Sequence, residues 1–292
     1  MLYTIENEHI RVQASSRGAE LQSLVRKSDG SEYLWQGDAR YWKDRALHLF
    51  PIVGRLWGGH YTYRGRQYEM PIHGFVSGSE LEVVRHGADA IAFRLRESEA
   101  TLAVYPFRFE LTISHTLADR SVMTKMEVVN RGEEDLIFTL GGHPGFQVPV
   151  GGEGDFTDWY LEFDQPARAM SIDMSPACFL TDGAQPLPLQ DGRLLPLRHE
   201  LFDNDALVLY DVCRAVSLKS EKSARQVRVE FPQMPYLGIW HAPRTEAPYV
   251  CIEPWAGLPS YDGRVDDLET KRDMLRLPQG ETYENTFVVT IQ

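Results

Sequence analysis

The sequence predicts an all-β fold, built as a sandwich or a barrel, and three observations support this class. Along Phe107–Ile113, apolar residues alternate with Arg108, Glu110 and Thr112, which is the period-2 pattern of a half-buried strand. Short apolar runs separated by turn residues recur along most of the chain, as in sandwiches and barrels. Helical patterns are scarce, and no GxGxxG or GxxxxGK(S/T) motif indicates a nucleotide-binding fold.

The individual strands are predicted from these runs. Ser121–Asn130 carries apolar residues on one face, and Ala118–Arg120 is expected to form the hairpin turn that joins it to the run at Phe107–Ile113. The remaining predicted strands are Leu81–Arg85, Ala90–Leu95, Leu136–Leu140, Ala206–Tyr210, Ala215–Lys219, Gln226–Phe231, Tyr236–Trp240, Tyr249–Glu253 and Glu284–Ile291.

Three segments depart from the strand pattern. Asp266–Leu275 is predicted to form one or two helical turns, whereas Val148–Asp158 and Gln185–Arg198 are rich in glycine or proline and are expected to be surface loops. Neither loop has the length or composition of an interdomain linker, and no repeat of about 20 to 50 residues is present. We therefore expect one domain over residues 1–292.

Composition and charge exclude several classes of function. The formal net charge of −12 is unfavourable for binding nucleic acid or an anionic membrane surface, whereas a neutral small molecule is indifferent to it. No apolar run approaches the roughly 18 residues of a membrane span, and the N-terminus lacks the pattern of a secretory signal. The three cysteines, Cys178, Cys213 and Cys251, are odd in number and form no CxxC pair, so a cytoplasmic protein with reduced thiols is expected.

Candidate catalytic or binding residues lie in segments where an ionisable residue adjoins glycine or proline at the end of an apolar run. His143 follows a predicted strand and lies among glycines, which allow close approach of a ligand. Glu253 ends another apolar run, immediately before Pro254. A histidine and a glutamate together can supply general acid–base catalysis. The four segments are Phe50–Arg55, Met70–Phe75, Leu140–Phe146 and Tyr249–Trp255.

Other interpretations of these residues remain open. Each ionisable residue alone could be structural, and Trp240 and Trp255 could either stack on a sugar or fill the core. His73, His143 and Glu253 could make a His₂Glu metal site, although no HxH or HExxH spacing supports one. No GxSxG motif is present, and Cys251 is interpreted as a small core residue rather than a nucleophile.

The same segments, in this order, resemble the aldose 1-epimerase (galactose mutarotase-like) family, and in particular its LacX-like branch. The text that carries the resemblance is WKDRALHLFPIVGRLWGGHYTYRGRQYEMPIHGF at residues 42–75, LGGHPGF at 140–146 and YVCIEPWAG at 249–257. The resemblance implies a large antiparallel β-sandwich of the supersandwich type. It also implies a cofactor-independent enzyme that exchanges the α and β anomers of a free aldose.

The resemblance also implies roles for individual residues. His143 would protonate the ring oxygen, and Glu253 would take the proton from the anomeric hydroxyl. Arg55 and His73 would orient the sugar, and Asp205, with Asp203 as the alternative, would bind its hydroxyl groups. We expect mutual attraction to keep His143 and Glu253 both charged, with a bell-shaped pH–rate profile as the result. No metal and no cofactor are expected.

The substrate is left open by the sequence. His143 is followed by Pro-Gly-Phe, whereas better-known mutarotases carry an aromatic residue in an HxYFN-type segment after the corresponding histidine.

One alternative function is that of a hexose-6-phosphate 1-epimerase of the same fold, with Arg40, Arg45 or Arg55 near the phosphate. The other is a sugar-binding protein without catalytic activity. The oligomeric state is not indicated.

Overall fold

The computed structural model describes residues 1–292, and almost all of its regular structure is β-strand. In chain order the strands are β1 (Leu2–Glu6), β2 (Ile10–Ser15), β3 (Leu21–Arg26), β4 (Ala46–Leu49), β5 (His60–Tyr63), β6 (Arg66–Glu69), β7 (Glu82–His86), β8 (Ala90–Arg96), β9 (Phe109–Ala118), β10 (Ser121–Asn130), β11 (Leu136–Phe138), β12 (Gly141–Gln147), β13 (Trp159–Phe163), β14 (Met170–Met174), β15 (Leu180–Pro186), β16 (Leu194–Pro196), β17 (Leu207–Tyr210), β18 (Ala215–Ser220), β19 (Ser223–Glu230), β20 (Tyr236–Trp240), β21 (Tyr249–Trp255), β22 (Asp266–Asp267), β23 (Leu275–Leu277) and β24 (Thr282–Ile291).

Helices are few and short. The α-helix α1 (Glu99–Val104) begins at Ser98, whose side chain accepts a hydrogen bond from the backbone N–H of Thr101 in a capping box. No helix in the structure combines the length and the hydropathy that crossing a membrane requires. The 3₁₀ helices are Trp57–Gly59, Val76–Gly78, Val150–Gly152, Phe156–Asp158 and His199–Phe202.

Two large antiparallel sheets dominate the architecture, which confirms the predicted all-β class and the supersandwich that the resemblance implies. One has nine strands in the order β16-β13-β18-β19-β24-β10-β9-β8-β7, and the other has seven in the order β15-β14-β17-β20-β21-β12-β4. Smaller sheets consist of β1-β2-β3, β11-β23 and β22-β5-β6.

The hairpin of β9 and β10 shows how the sequence pattern produces the nine-stranded sheet. Ala118 pairs with Ser121, and the register continues without interruption to Phe109 and Asn130. Apolar side chains therefore alternate on the buried face along both strands, as predicted. Asp119 turns the chain with φ of 51°, a left-handed conformation that Asp adopts more readily than most residues.

The core lies between the two large sheets, and its position decides which side chains of the seven-stranded sheet face outward. A Cβ atom on Gly142 of β12 would lie 2.8 Å from the ring of Phe287 of β24, so Gly142 faces the nine-stranded sheet. Because side chains alternate along a strand, His143 faces the opposite side. The outer face of the seven-stranded sheet is therefore the place for a functional site. The main buried cluster contains 63 residues and includes both Ile5 and Ile291.

Two expectations about local structure were wrong. Asp266–Leu275 forms no helix, because Asp266 and Asp267 pair in parallel with β5 and Asp273 has a left-handed φ of 61°. Gln185–Arg198 is not wholly a loop, since it contains the end of β15 and all of β16, which pairs with β13 at the edge of the nine-stranded sheet.

Candidate active site

A cavity of about 260 Å³ lies on the outer face of the seven-stranded sheet. All five residues singled out from the sequence line it: Arg55, His73, His143, Asp205 and Glu253. They come from distant parts of the chain, and the fold brings them together on one face. Asp203 does not line this cavity and is exposed, so of the two aspartates considered, Asp205 lies at the site.

His143 and Glu253 face each other across neighbouring strands. The register of β12 and β21 aligns Gly141 with Trp255 and Gly145 with Cys251, which sets His143 opposite Glu253. Their Nε2 and Oε2 atoms lie 3.2 Å apart, and both side chains are almost completely buried. Glu253 Oε2 has no hydrogen-bond partner, so this contact is electrostatic rather than an aligned hydrogen bond. An unsatisfied buried carboxylate oxygen is costly, and a ligand could satisfy it.

Both residues lie within strands, not at strand ends as the sequence suggested. The glycines of β12 lie in a strand because it pairs with β4 and β21. These positions are glycine because neighbouring side chains occupy the space beside them: the ring of Trp255 lies 2.8 Å from where a Cβ of Gly141 would be. Pro144 pairs with Ala46 of β4. The composition that predicts a turn here instead reflects close packing around His143 and Glu253.

Burial favours the neutral forms of both residues. It lowers the pKa of His143 well below its usual range, and the neighbouring His73 acts in the same direction. Burial also raises the pKa of Glu253 well above its usual range, with a further contribution from Asp205. This is opposite to the expectation that mutual attraction keeps both charged, because the cost of removing two charges from water outweighs their attraction.

Asp205 holds two other residues of the cavity in place. Its Oδ2 accepts a hydrogen bond from Arg55 Nη1 at 2.7 Å, and its Oδ1 accepts one from Trp240 Nε1 at 2.8 Å. Asp205 is buried, whereas the Arg55 side chain is 42% exposed, so the guanidinium remains accessible to a ligand. A cation and an anion thus lie together at the cavity wall and offer donors and acceptors for hydroxyl groups.

His73 is held as a neutral hydrogen-bond donor. Its Nδ1 accepts a hydrogen bond from the backbone N–H of Gly54 at 3.1 Å, and burial lowers the pKa of His73 to about 4. The proton of the neutral ring is therefore on Nε2. His73 and Asp205 both have left-handed backbone conformations, with φ of 63° and 76°. Such strain in non-glycine residues is typical of functional sites.

Sequence reasoning missed Trp42. Its indole stacks on the imidazole of His143, with ring centroids 4.7 Å apart and an angle of 28° between the planes. Trp240 contacts the same imidazole edge-on, at 5.6 Å. A Cβ on Gly145 would lie 3.1 Å from Trp42 Cζ3, so a larger residue at that position would press on the stacked indole. Trp42 is within the first segment that carries the family resemblance, which was the available signal.

The structure brings together a different set of possible metal ligands from the set considered in the sequence. The side chains whose ligand atoms lie within 4.8 Å of one another are His143, Cys251 and Glu253, and His73 does not belong to this group. Burial raises the pKa of the Cys251 thiol well above its usual range, which disfavours the thiolate that a metal would need.

The sequence matches the aldose 1-epimerase family over residues 1–289. The chain belongs to the aldose 1-epimerase family. Plasmid-encoded Protein LacX of Lactococcus lactis subsp. lactis is 32% identical, with 100% of this chain and 99% of the relative covered.

Two solved structures of similar proteins agree with the family assignment. A galactose mutarotase related enzyme from Lactobacillus acidophilus has a TM-score of 0.94 and 35% identity, with 100% of this chain and 97% of that chain covered. A galactose mutarotase-like protein from Lactobacillus casei has a TM-score of 0.94 and 29% identity, with both chains covered completely. The family resemblance inferred from the motifs is therefore confirmed.

Proposed function

We propose that this member of the family is a mutarotase that interconverts the α and β anomers of a free aldose by acid–base ring opening and closure. The observation that carries the proposal is the facing pair of His143 and Glu253, 3.2 Å apart at the wall of a cavity. Mutarotation removes one proton and adds one, with no net redox change, and a pair of this kind can perform both transfers.

In the proposed reaction, Glu253 takes the proton of the anomeric hydroxyl and His143 delivers a proton to the ring oxygen. The C1–O5 bond breaks and the C1–O1 bond becomes a carbonyl. Rotation about C1–C2 then presents the other face of the aldehyde to the C5 hydroxyl. Ring closure returns the two protons by the reverse transfers, so the enzyme regains its starting protonation state.

One shared proton reconciles this scheme with the burial of the pair. The neutral pair and the charged pair contain the same number of protons and differ only by transfer from Glu253 to His143 across the 3.2 Å gap. A sugar in the cavity favours the charged arrangement, because its hydroxyl groups can form hydrogen bonds with both ions. The lowered pKa of His143 and the raised pKa of Glu253 move the acid and alkaline limits of activity outward. We therefore expect a broad plateau in the pH–rate profile, with decline only at its extremes.

The surrounding residues would orient the sugar. Arg55 and Asp205 can bind neighbouring hydroxyl groups, and His73 can donate from Nε2. Trp240 and Trp255 line the same cavity, where an indole face can pack on the C–H face of a pyranose. No metal or cofactor takes part in the proposed reaction.

Two features favour a free aldose over a hexose 6-phosphate. Arg40 pairs with Asp38, and Arg45 Nη1 donates to the carbonyl of Gln22 at 2.6 Å, so both arginines are engaged away from the cavity. Arg55 is the arginine that lines the cavity, and it is paired with Asp205. Of the three arginines considered for a phosphate, Arg40 and Arg45 thus do not line the cavity, and Arg55 does.

Polarimetry of freshly dissolved sugars tests the proposal. The decay of optical rotation of α-D-glucose and α-D-galactose is followed with and without enzyme, alongside glucose 6-phosphate, and spontaneous mutarotation supplies the background. We expect acceleration for at least one free sugar that exceeds any effect on the phosphate. A preference for the phosphate would point to the phosphate epimerase instead. Sugar binding without any acceleration would point to a binding protein.

A further inference from the structure

A buried lysine contacts the wall of the candidate active site without lining the cavity. The side chain of Lys271 is 3% exposed, and the next lowest value for a lysine or arginine in an ion pair is 18%, at Arg225. Burial lowers the pKa of Lys271, and the charge of Asp266 opposes this shift. An ammonium group is costly to remove from water unless its neighbours hold it by charge and hydrogen bonds. Lys271 takes no part in the proposed proton transfers, so its burial points to another role.

The ammonium group of Lys271 has two partners. Its Nζ lies 3.2 Å from Oδ2 of Asp266, and it donates a hydrogen bond of the same length to the carbonyl of Pro259, which lines the cavity. The same Oδ2 of Asp266 accepts a hydrogen bond from the hydroxyl of Ser260, a residue that is completely buried. The lysine therefore fixes two consecutive residues, Pro259 directly and Ser260 through Asp266.

Pro259 and Ser260 in turn contact the segment that carries Arg55. The backbone N–H of Ser260 donates to the carbonyl of Arg55 at 2.9 Å. A Cβ atom on Gly54 would lie 2.4 Å from Cγ of Pro259, so the proline ring packs directly against Gly54. The position of the segment Pro259–Ser260 therefore sets the position of Gly54 and Arg55.

Gly54 connects this contact to His73. Its backbone N–H donates to Nδ1 of His73 at 3.1 Å, and its carbonyl accepts a hydrogen bond from the backbone N–H of His73 at 2.9 Å. The bond to Nδ1 sets the tautomer of the imidazole, and the two bonds together set its orientation. A shift of Pro259 would therefore move Gly54 and, with it, the imidazole of His73.

We propose that Lys271 is a positioning residue of the candidate active site. It fixes the segment Pro259–Ser260, and this segment supports Arg55 and His73, the side chains that orient the sugar. The acid–base pair lies on β12 and β21, outside this series of contacts. Loss of the lysine should therefore weaken sugar binding and leave the proton transfers intact. The effect on sugar rests on the proposed mutarotase function, whereas the contacts can be tested without it.

Two variants separate positioning from stability. Lys271→Met removes the charge and keeps most of the volume, but it leaves the carboxylate of Asp266 without its cation. Asp266→Asn in the same chain removes the second charge, and the amide oxygen can still accept from Ser260. The urea midpoint should fall in the single variant and largely recover in the double variant. In both variants the carbonyl of Pro259 lacks its donor, so the KM for the most rapidly converted aldose should rise about fivefold, with kcat unchanged.

The matched control is the ion pair of Lys219 and Glu162, which joins β18 and β13 in the nine-stranded sheet. Lys219→Met, alone and together with Glu162→Gln, should leave both KM and kcat at the wild-type values. If neither lysine variant of the site folds, Ser260→Ala replaces them, because it removes one hydroxyl group and no charge. Its KM should rise in the same direction, by about two- to fivefold.

A purely structural role for Lys271 would give a different result. The KM of the double variant would then return to the wild-type value together with the urea midpoint, and this would overturn the proposal. A loss confined to kcat, an unchanged KM in the folded variants, or an equal rise in KM for Lys219→Met would also overturn it.

If wild type turns over no sugar, the proposed function fails, and amide hydrogen exchange measured by NMR decides the positioning role alone. The backbone amides of Gly54 and Ser260 donate to His73 and Arg55, so their exchange reports on the two contacts directly. In the double variant both amides should exchange about fivefold faster, while the amides of β9 keep their wild-type protection. Unchanged exchange at Gly54 and Ser260 would overturn the proposal.

Discussion

Replacing Trp42 by leucine tests whether its stacking on His143 stabilises the imidazolium form that the proposed reaction needs. The two ring centroids are 4.7 Å apart and nearly parallel, and His143 is only 6% exposed. A cation–π contact contributes about 0.5 kcal/mol at an exposed site and about 2 kcal/mol when it is desolvated. The buried geometry favours the upper value, which corresponds to about 1.5 pKa units.

Trp42→Leu should therefore lower the pKa of His143 by about one unit or more, and kcat should fall about 10- to 30-fold. The acid limb of the pH–rate profile should move to lower pH, since the doubly protonated, inactive pair of His143 and Glu253 would form only at lower pH. Trp42→Phe retains a ring and should give an intermediate effect. Polarimetric rates across the pH range measure both quantities, and far-ultraviolet circular dichroism checks that the variants are folded.

The direction of the shift is what makes this test decisive. A smaller side chain also admits water beside the imidazole, and better solvation alone would raise the pKa of His143. An acid limb that moves to higher pH, or that does not move, would refute the argument that the indole stabilises the cation.

Three further predictions concern the surroundings of the site and the core. Gly145→Ala places a Cβ 3.1 Å from Trp42, so it should displace the indole, reduce kcat in the same direction as Trp42→Leu, and cost about 1 to 3 kcal/mol in urea denaturation. Asp205→Asn removes a partly screened ion pair with Arg55, so KM should rise about fivefold, or about 1 kcal/mol, with little change in kcat; an unchanged KM would exclude this role. Burial lowers the pKa of His115 to about 4 from an ordinary value of 6.5. Between these values the unfolded chain takes up a proton that the folded chain does not, so this residue lowers the free energy of unfolding as pH falls, by about 1.4 kcal/mol per pH unit. His115→Gln should reduce the pH dependence by that amount, and an identical dependence in both proteins would contradict the shift.

Much of the fold followed from local patterns. The alternation along β9 and β10 predicted a hairpin, and the structure has the predicted strand at Ser121–Asn130 with the same bounds. Alternating polarity along a strand indicates which side chains are buried, because a strand of the sandwich buries one of its faces. The segment at Asp266 was misjudged, because its conformation depends on pairing with β5, about 200 residues away in sequence.

The candidate site was predictable in its residues but not in its geometry. His143 and Glu253 were identified from their motifs, yet their glycine and proline neighbours suggested turns. Those glycines lie in a strand that pairs with β4 and β21, and they are glycine because Phe287 and Trp255 fill the adjacent space. Such tertiary contacts leave no local signal. The register that sets the two side chains face to face is likewise a long-range property.

The central claim is that His143 and Glu253 act together as the acid–base pair, and polarimetry of the two conservative variants tests it most directly. His143→Asn and Glu253→Gln are compared with wild type on the most rapidly converted α-aldose, with the exposed residues His86→Asn and Glu281→Gln as matched controls. Tryptophan fluorescence titration establishes that the sugar still binds. Both site variants should fall to the spontaneous rate while they still bind sugar, and both controls should keep the wild-type rate. A folded His143→Asn or Glu253→Gln variant with the wild-type rate would contradict the claim.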